Sequence, residues 1–352
     1  MIAQTLNPDW LSRPSVERVA ALLGSDPYCF VGGCVRDSLM GKMPRDFDLA
    51  TTLSAGEILS RVKQLSIRWI VGHPDFPITK IEVCGDEFDI CSLPQAKYVE
   101  SADDFKSWVR NYMGRSDFTM NSLALFPDGL LMDEFGGIHD ALNKEIKFVL
   151  GFDRIAESIK ISPNQIIRYL RFASTHGEGR FDPLVIQKLS ACAALLQKDH
   201  PEFIRNQMMR LLEIPSPFEA IRIMHDQCII PHALGFRLSS LAALEKLSQL
   251  EGKLGKSSSG YVRLLALLQG APITLDAAFA HLLSRWKMEP PQLRQLKTIM
   301  DFSMFFDPDM NQEQHDQLSK KAGKAMLPQI AMMRLLMEDE PFAELARYRP
   351  HL

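Results

Sequence analysis

The sequence changes character near residue 148, and this change constrains the fold more than any other feature. From residue 28 to about 147, short runs typical of β-strands alternate with Gly, Pro and Asp turns, among them YCFVGG, IRWIV, ITKIEVC, EFDICSL and SLALF. Beyond residue 148, apolar residues recur at helical spacing in nearly every segment. The chain is therefore predicted to fold as an α/β head followed by an all-α region.

A chain of 352 residues is longer than one ordinary domain, so more than one packed unit is expected. We place the head at residues 1–147, a first helical region at 148–235 and a helical tail at 236–352. Within the tail, EGKLGKSSSGY (251–261) is the best candidate for a linker, because it is rich in Gly, Ser and Lys.

Composition favours a globular protein of the cytoplasm. No stretch approaches the ~20 apolar residues that a membrane span needs, and no secretion signal is visible. The six cysteines lack CxxC spacing, which favours reduced thiols over a disulfide frame or a zinc site. A net charge of −3 argues against broad, sequence-blind coating of nucleic acid, although it allows RNA on a local basic stripe.

The densest signal is FVGGCVRDSLMGKMPRDFDLATT, residues 30–52. A strand is predicted to end at Gly32 and Gly33, with a helix following over Val35–Leu39. Glycines at such a turn let a phosphate approach the backbone N–H groups at a helix N-terminus. Arg36 is placed to add a charge-assisted contact to the same phosphate.

Asp46 and Asp48 follow in the same segment. On a strand, residues i and i+2 face one side, so both carboxylates converge while Phe47 and Leu49 point to the core. Two hard oxygen ligands suit Mg²⁺, which binds through one or two carboxylates together with substrate phosphates. A solvated strand edge is the alternative for either carboxylate alone, but the neighbouring glycines and Arg36 favour a metal site.

The pattern GGCVRD…DFDLATT resembles the signature of polymerase-β-like nucleotidyltransferases, specifically class II tRNA CCA-adding enzymes and bacterial poly(A) polymerases. Three more blocks resemble this family in the family's order: RSDFTMNSLALFPDGLLMDEFGGIHDAL (115–142), IIRYLRFASTHGEGRFD (166–182) and IRNQMMRLLEIPSPFEAIRIMHDQCIIP (204–231). The resemblance implies a polymerase-β-like head sheet with flanking helices, followed by a helical neck, body and tail.

The resemblance also implies roles for individual residues. The triphosphate would be held by Gly32, Gly33 and Arg36, the metal by Asp46 and Asp48, and the ribose and nucleotide by Arg115, Asp117 and Asn121. Asp89 matches a third acidic residue on a neighbouring strand, with an exposed strand carboxylate as the alternative. Asp117 could instead, or in addition, cap a helix that starts at Phe118.

The neck departs from the family pattern. Ser162 and Gln165 stand where the family's E-D-x-x-R motif places the Asp and Arg that read the base. Both can donate and accept hydrogen bonds, but weaker ones than charged groups make. Arg168 and Arg171 share one helix face and could neutralise phosphates of a nucleotide or an RNA end, or form a solvated, ion-paired face.

These patterns predict a template-independent RNA nucleotidyltransferase of the tRNA CCA-end or poly(A) type. It would use Mg²⁺ to transfer a nucleoside monophosphate from ATP or CTP to an RNA 3′-hydroxyl, with the tRNA 3′ end as the expected acceptor. One alternative is a paralogue with altered nucleotide choice and a protein or small-molecule acceptor. The other is an RNA-binding protein with little turnover.

Overall fold

A computed structural model describes residues 4–71, 77–93 and 101–352 of the chain. The chain divides into two compact units, with the boundary between Arg154 and Ile155. The segment just before this boundary is tied to the first unit, because Phe148 bridges to Phe118 and the Val149 N–H donates to the carbonyl of Asp117 at 3.1 Å. Residues 148–154 thus lie with the strands, a little beyond the predicted end of the head.

The first unit is built on a sheet, as the β-like runs predict. Its strands are β1 (Gln4–Thr5), β2 (Tyr28–Val31), β3 (Asp46–Thr51), β4 (Arg68–Val71), β5 (Ile78–Val83), β6 (Asp86–Ser92), β7 (Leu123–Leu125) and β8 (Leu130–Asp133). Over the described residues they form one sheet in the order β1-β8-β7-β2-β3-β6-β5-β4. The pairing of β3 with β6 is parallel and the remaining pairs are antiparallel.

Helices cover both faces of this sheet. They are α1 (Pro14–Leu23), α2 (Gly33–Leu39), α3 (Ala55–Gln64), α4 (Ala102–Met113) and α5 (Gly137–Asn143). Apolar residues of α1 and α3 pack on the face that carries Phe47 and Leu49, and α4 packs on the opposite face through Phe105 and Val109. Side chains of β3 alternate between the two faces of the sheet, so Phe47 and Leu49 are buried beneath α1 and α3.

The second unit is helical, as the 3.6-residue period predicts. Its helices are α6 (Ile155–Ile161), α7 (Gln165–Thr175), α8 (Pro183–Ala191), α9 (Pro201–Leu212), α10 (Phe218–Asp226), α11 (Ile230–Leu234), α12 (Ala242–Leu254), α13 (Gly260–Leu268), α14 (Leu275–Trp286), α15 (Pro290–Ser303), α16 (Gln312–Ala322), α17 (Leu327–Met337) and α18 (Pro341–Tyr348). Across the described residues, none of the helices combines the length and the apolar character that crossing a bilayer requires. The further division of the helical region at residue 235 stays a prediction.

The prediction of a linker at residues 251–261 is wrong. Glu251 lies near the end of α12 and Arg263 in the first turn of α13, and their side chains form a buried ion pair at 2.8 Å. The same guanidinium donates to the carbonyls of Leu212 and Ile214 at 2.8 and 2.6 Å. A Gly- and Ser-rich composition indicates a turn here, and the buried pair shows that the turn joins two packed helices of one unit.

Candidate active site

The glycine turn lies directly against a carboxylate. Gly32 follows β2 and has φ of +70° and ψ of −123°, a combination that essentially only glycine adopts. A Cβ atom at Gly32 would lie 3.9 Å from Oδ2 of Asp48 and 3.7 Å from the carbonyl oxygen of Asn121. The turn therefore brings backbone, without an intervening side chain, next to the carboxylate of Asp48.

Three carboxylates share one face of the sheet on two adjacent strands. Phe47 and Leu49 of β3 are fully buried, so Asp46 and Asp48 point to the other face, as the sequence predicted. The parallel register of β3 and β6 places Asp48 beside Asp89. We call Asp46, Asp48 and Asp89 the acidic cluster.

Burial and mutual repulsion disfavour negative charge in the acidic cluster. Desolvation, reinforced by Asp46 and then Asp89, raises the pKa of Asp48 from 3.8 to about 7. Burial likewise raises the pKa of Asp89. Oδ1 of Asp89 is buried and accepts no hydrogen bond from the described residues. Partly buried carboxylates whose negative charges repel one another fit a divalent cation, which would supply positive charge to this face of the sheet.

Lys80 is a member of this site that sequence reasoning missed. It lies on β5, in register with Asp89 of β6, and its Nζ is 3.5 Å from Oδ1 of Asp89. The same Nζ is 2.9 Å from Oε2 of Glu87. The alternation in ITKIEV was the available signal, but it becomes informative only once the pairing of β5 with β6 is known.

Arg36, Asp117 and Asn121 are brought together as a hydrogen-bonded chain. The buried guanidinium of Arg36 donates to Asn121 Oδ1 at 2.5 Å and to Asp37 Oδ1 at 2.7 and 2.9 Å. The amide of Asn121 donates in turn to Oδ1 of Asp117 at 3.0 Å. That oxygen also accepts from the N–H of the next residue, Phe118, at 2.9 Å. The prediction that Asp117 caps a helix starting at Phe118 is wrong, because the short 3₁₀ turn begins at Thr119, has Phe118 at its N-cap and has no side-chain cap. Arg115, from the same predicted motif, is exposed.

A second group of metal-ligand types lies elsewhere in the first unit. Side-chain atoms of His139, Asp140 and Glu145 fall within 4.8 Å of one another. The ammonium of Lys147, however, lies 2.7 Å from Asp140 and 2.5 Å from Glu145. Lys147 thus contacts two of the three groups at short distance, whereas Lys80 reaches only Asp89 of the acidic cluster, at 3.5 Å, so the acidic cluster on β3 and β6 is the better candidate for Mg²⁺.

The neck residues belong to the second unit. Gln165 is buried, and its Oε1 accepts from the hydroxyl of Ser158 at 2.6 Å. Ser162 is half-buried, and its hydroxyl accepts from the Asn164 side chain at 3.1 Å. The amide oxygen of Gln165 is thus engaged inside the helical unit.

Arg168 and Arg171 lie on α7 as the helical spacing predicts. Both guanidinium groups flank the ring of Phe172, with the Cζ atoms 5.5 and 4.7 Å from its centroid. Arg171 also donates to Gln207 at 3.4 Å. The two guanidinium groups therefore pack against the same aromatic ring.

Known proteins resemble this chain in sequence. Residues 28–147 match the family model of the poly(A) polymerase head domain. The human mitochondrial CCA tRNA nucleotidyltransferase 1 is 27% identical over 252 residues, which cover 67% of this chain and 55% of the relative. The chain spans about half the length of the curated relatives it matches.

Solved structures resemble the chain in fold. A CCA-adding enzyme in complex with ATP aligns with a TM-score of 0.67 and 20% identity, over 99% of this chain and 86% of that one. The Thermotoga maritima CCA-adding enzyme complexed with tRNA aligns with a TM-score of 0.62 and 20% identity, over 97% of this chain and 79% of that one. At this level of identity the likeness establishes the fold.

Proposed function

We propose that the chain is a template-independent RNA nucleotidyltransferase, because its head matches the poly(A) polymerase head domain and its curated relatives are CCA-adding enzymes. An RNA 3′-hydroxyl attacks the α-phosphorus of an NTP, a phosphodiester bond forms, and pyrophosphate leaves with the electrons of the broken bond. ATP and CTP are the proposed nucleotides and a tRNA 3′ end the proposed acceptor, since solved relatives hold ATP, CTP and tRNA.

The observation that carries this proposal is the acidic cluster beside the glycine turn. Asp46, Asp48 and Asp89 would hold Mg²⁺, which when bound would stabilise negative charge on phosphate oxygens as a Lewis acid. Their position on paired strands fixes their spacing before any ligand arrives, so little reorganisation is needed. Oδ1 of Asp89 has only a long ion pair with Lys80 Nζ, at 3.5 Å, and would remain available as a metal ligand.

The glycine turn and Arg36 position the triphosphate. With no side chain at Gly32 or Gly33, a phosphate oxygen can reach the backbone N–H groups at the start of α2. The guanidinium of Arg36 is buried and fixed between Asp37 and Asn121, so its charge acts in a low dielectric and in one orientation. Gly32, Gly33 and Arg36 thus bind and orient the triphosphate, and the acidic cluster would bind the metal ion next to the reacting phosphate.

Removal of one carboxylate tests the proposal. Asp48→Ala should lower incorporation of labelled ATP and CTP into a tRNA that lacks its 3′-terminal nucleotides by at least about a hundredfold. Asp103→Ala is the matched control, because that carboxylate is 92% exposed on α4. Circular dichroism should show both variants folded. Undiminished incorporation by Asp48→Ala would refute the assignment of the site.

A second candidate, the same chemistry with altered nucleotide choice, is favoured by the neck. Gln165 uses its amide oxygen on Ser158 rather than presenting a guanidinium, and Ser162 replaces a carboxylate. Combining Ser162→Asp with Gln165→Arg should change the ratio of CTP to ATP incorporation if base reading was lost at these positions. An unchanged ratio would show that the nucleotide base is read by other residues.

A further inference from the structure

Lys80 lies on the same face of the sheet as the acidic cluster. It is paired with Asp89 across β5 and β6, and Asp48 is paired with Asp89 across β3 and β6. Side chains at paired positions of adjacent strands project to the same face. A lysine ammonium is therefore built into the row of positions that carries the carboxylates.

The two ion pairs of Lys80 are unequal. The shorter, 2.9 Å, goes to Glu87, and the longer, 3.5 Å, goes to Oδ1 of Asp89. No described residue donates a hydrogen bond to that oxygen, although it is buried. Lys80 thus offsets part of the negative charge of Asp89 without saturating the oxygen that faces it.

A divalent ion bound by Asp89 and the ammonium of Lys80 would both contact Oδ1 of Asp89, and the negative charge of this carboxylate attracts both. We propose that Lys80 is a counter-cation of the acidic cluster, which competes with the divalent metal for Asp89 and thereby sets a low metal affinity in the nucleotide-free protein. This rests on the proposed function only in that the acidic cluster is taken to bind a divalent ion. Lys80 is a positioning residue, because it acts through Asp89.

Glu87 makes this competition reversible. Since the shorter ion pair of Lys80 is with Glu87, the ammonium keeps a carboxylate partner when a metal ion takes over Asp89. Lys80 is also 29% exposed, so water can solvate it during the exchange. The arrangement lets the metal bind tightly only when nucleotide phosphates contribute further ligands, which is the mode that Mg²⁺ favours.

Mn²⁺ alone is the probe for this proposal, with binding measured through the electron paramagnetic resonance signal of the free ion and no nucleotide present. Lys80→Met should bind Mn²⁺ about tenfold more tightly than the wild type, because one nearby positive charge is lost. Lys80→Arg keeps the charge and should stay within about twofold of the wild type. Lys63→Met is the control for net charge, because Lys63 is exposed on α3, which covers the opposite face of the sheet.

Three results would overturn the proposal: Lys80→Met binds Mn²⁺ no more tightly than Lys63→Met, Lys80→Arg tightens binding as much as Lys80→Met, or neither the wild type nor Lys80→Met binds Mn²⁺. Thermal unfolding in the presence of a chelator should show that each variant is folded. If Lys80→Met is not folded, Lys80→Gln is measured in its place. Failure of the proposed function looks different, because tighter Mn²⁺ binding by Lys80→Met would then persist while the wild type transfers no nucleotide to RNA.

Discussion

Asp48 is predicted to destabilise the metal-free protein, so Asp48→Asn should stabilise it. In the folded chain the pKa of Asp48 is about 7, against 3.8 for an ordinary Asp, so the folded state holds the proton more tightly than the unfolded state does. Raising the pH from 3.8 to about 7 therefore lowers the free energy of unfolding of the wild type, and above about pH 7 Asp48 lowers it no further.

The size of the effect follows from the same two values. The difference between 3.8 and about 7 corresponds to at most about 4 kcal/mol. Because Asp48 keeps part of its contact with solvent, we expect about 2 kcal/mol, since solvent screens the repulsion from its neighbours. For a unit of this size that is a rise of about 4 to 8 °C in the melting temperature of the first unit.

The assay is thermal unfolding in the presence of a chelator at about pH 8 and at about pH 5. At the lower pH Asp48 destabilises the wild type much less, because its carboxyl group is protonated in the folded state. Asp48→Asn should melt higher than the wild type at the higher pH, and the gap should narrow at the lower pH. Added Mg²⁺ should stabilise the wild type more than the variant. A variant that melts at or below the wild-type temperature at about pH 8, or a gap that does not depend on pH, would refute the electrostatic account of the acidic cluster.

Three further predictions concern backbone, core and thiols. Gly32→Ala should lower the free energy of unfolding by about 1 to 3 kcal/mol in urea titrations, because alanine is strained at φ of +70°; wild-type stability would contradict this. Arg263→Met should lower it by about 3 to 5 kcal/mol, because Glu251 is left buried without its cation, and adding Glu251→Gln should recover part of the loss; no recovery would contradict the ion-pair account. Brief alkylation at about pH 8, read by mass spectrometry, should label the exposed Cys84 but not Cys34, because burial raises the pKa of the Cys34 thiol to about 12; equal labelling would contradict its burial.

Local sequence signals predicted the parts of the site that one strand or one turn defines. The alternation in DFDL was enough to put Asp46 and Asp48 on one face, because side-chain direction on a strand depends only on residue parity. The β-like runs ITKIEVC and EFDICSL likewise correspond to β5 and β6, which are joined by a turn in which Cys84 and Gly85 both have positive φ.

Contacts between strands and helices that are distant in sequence could not be read in this way. Lys80 faces Asp89 only because β5 pairs with β6 in one particular register, and a shift by one residue would turn Lys80 to the other face. The burial of Gln165 depends on Ser158, and the pair between Glu251 and Arg263 depends on how α12 packs against α13. Composition alone made this last segment resemble a linker.

The most direct measurement of the central claim follows the label from [α-³²P]ATP or [α-³²P]CTP in the presence of Mg²⁺ and a tRNA that lacks its 3′-terminal nucleotides. The account predicts label at the RNA 3′ end, pyrophosphate released in equal amount, and neither product after chelation of Mg²⁺. Label in protein or in a small molecule, or RNA binding with no label transferred at all, would contradict it.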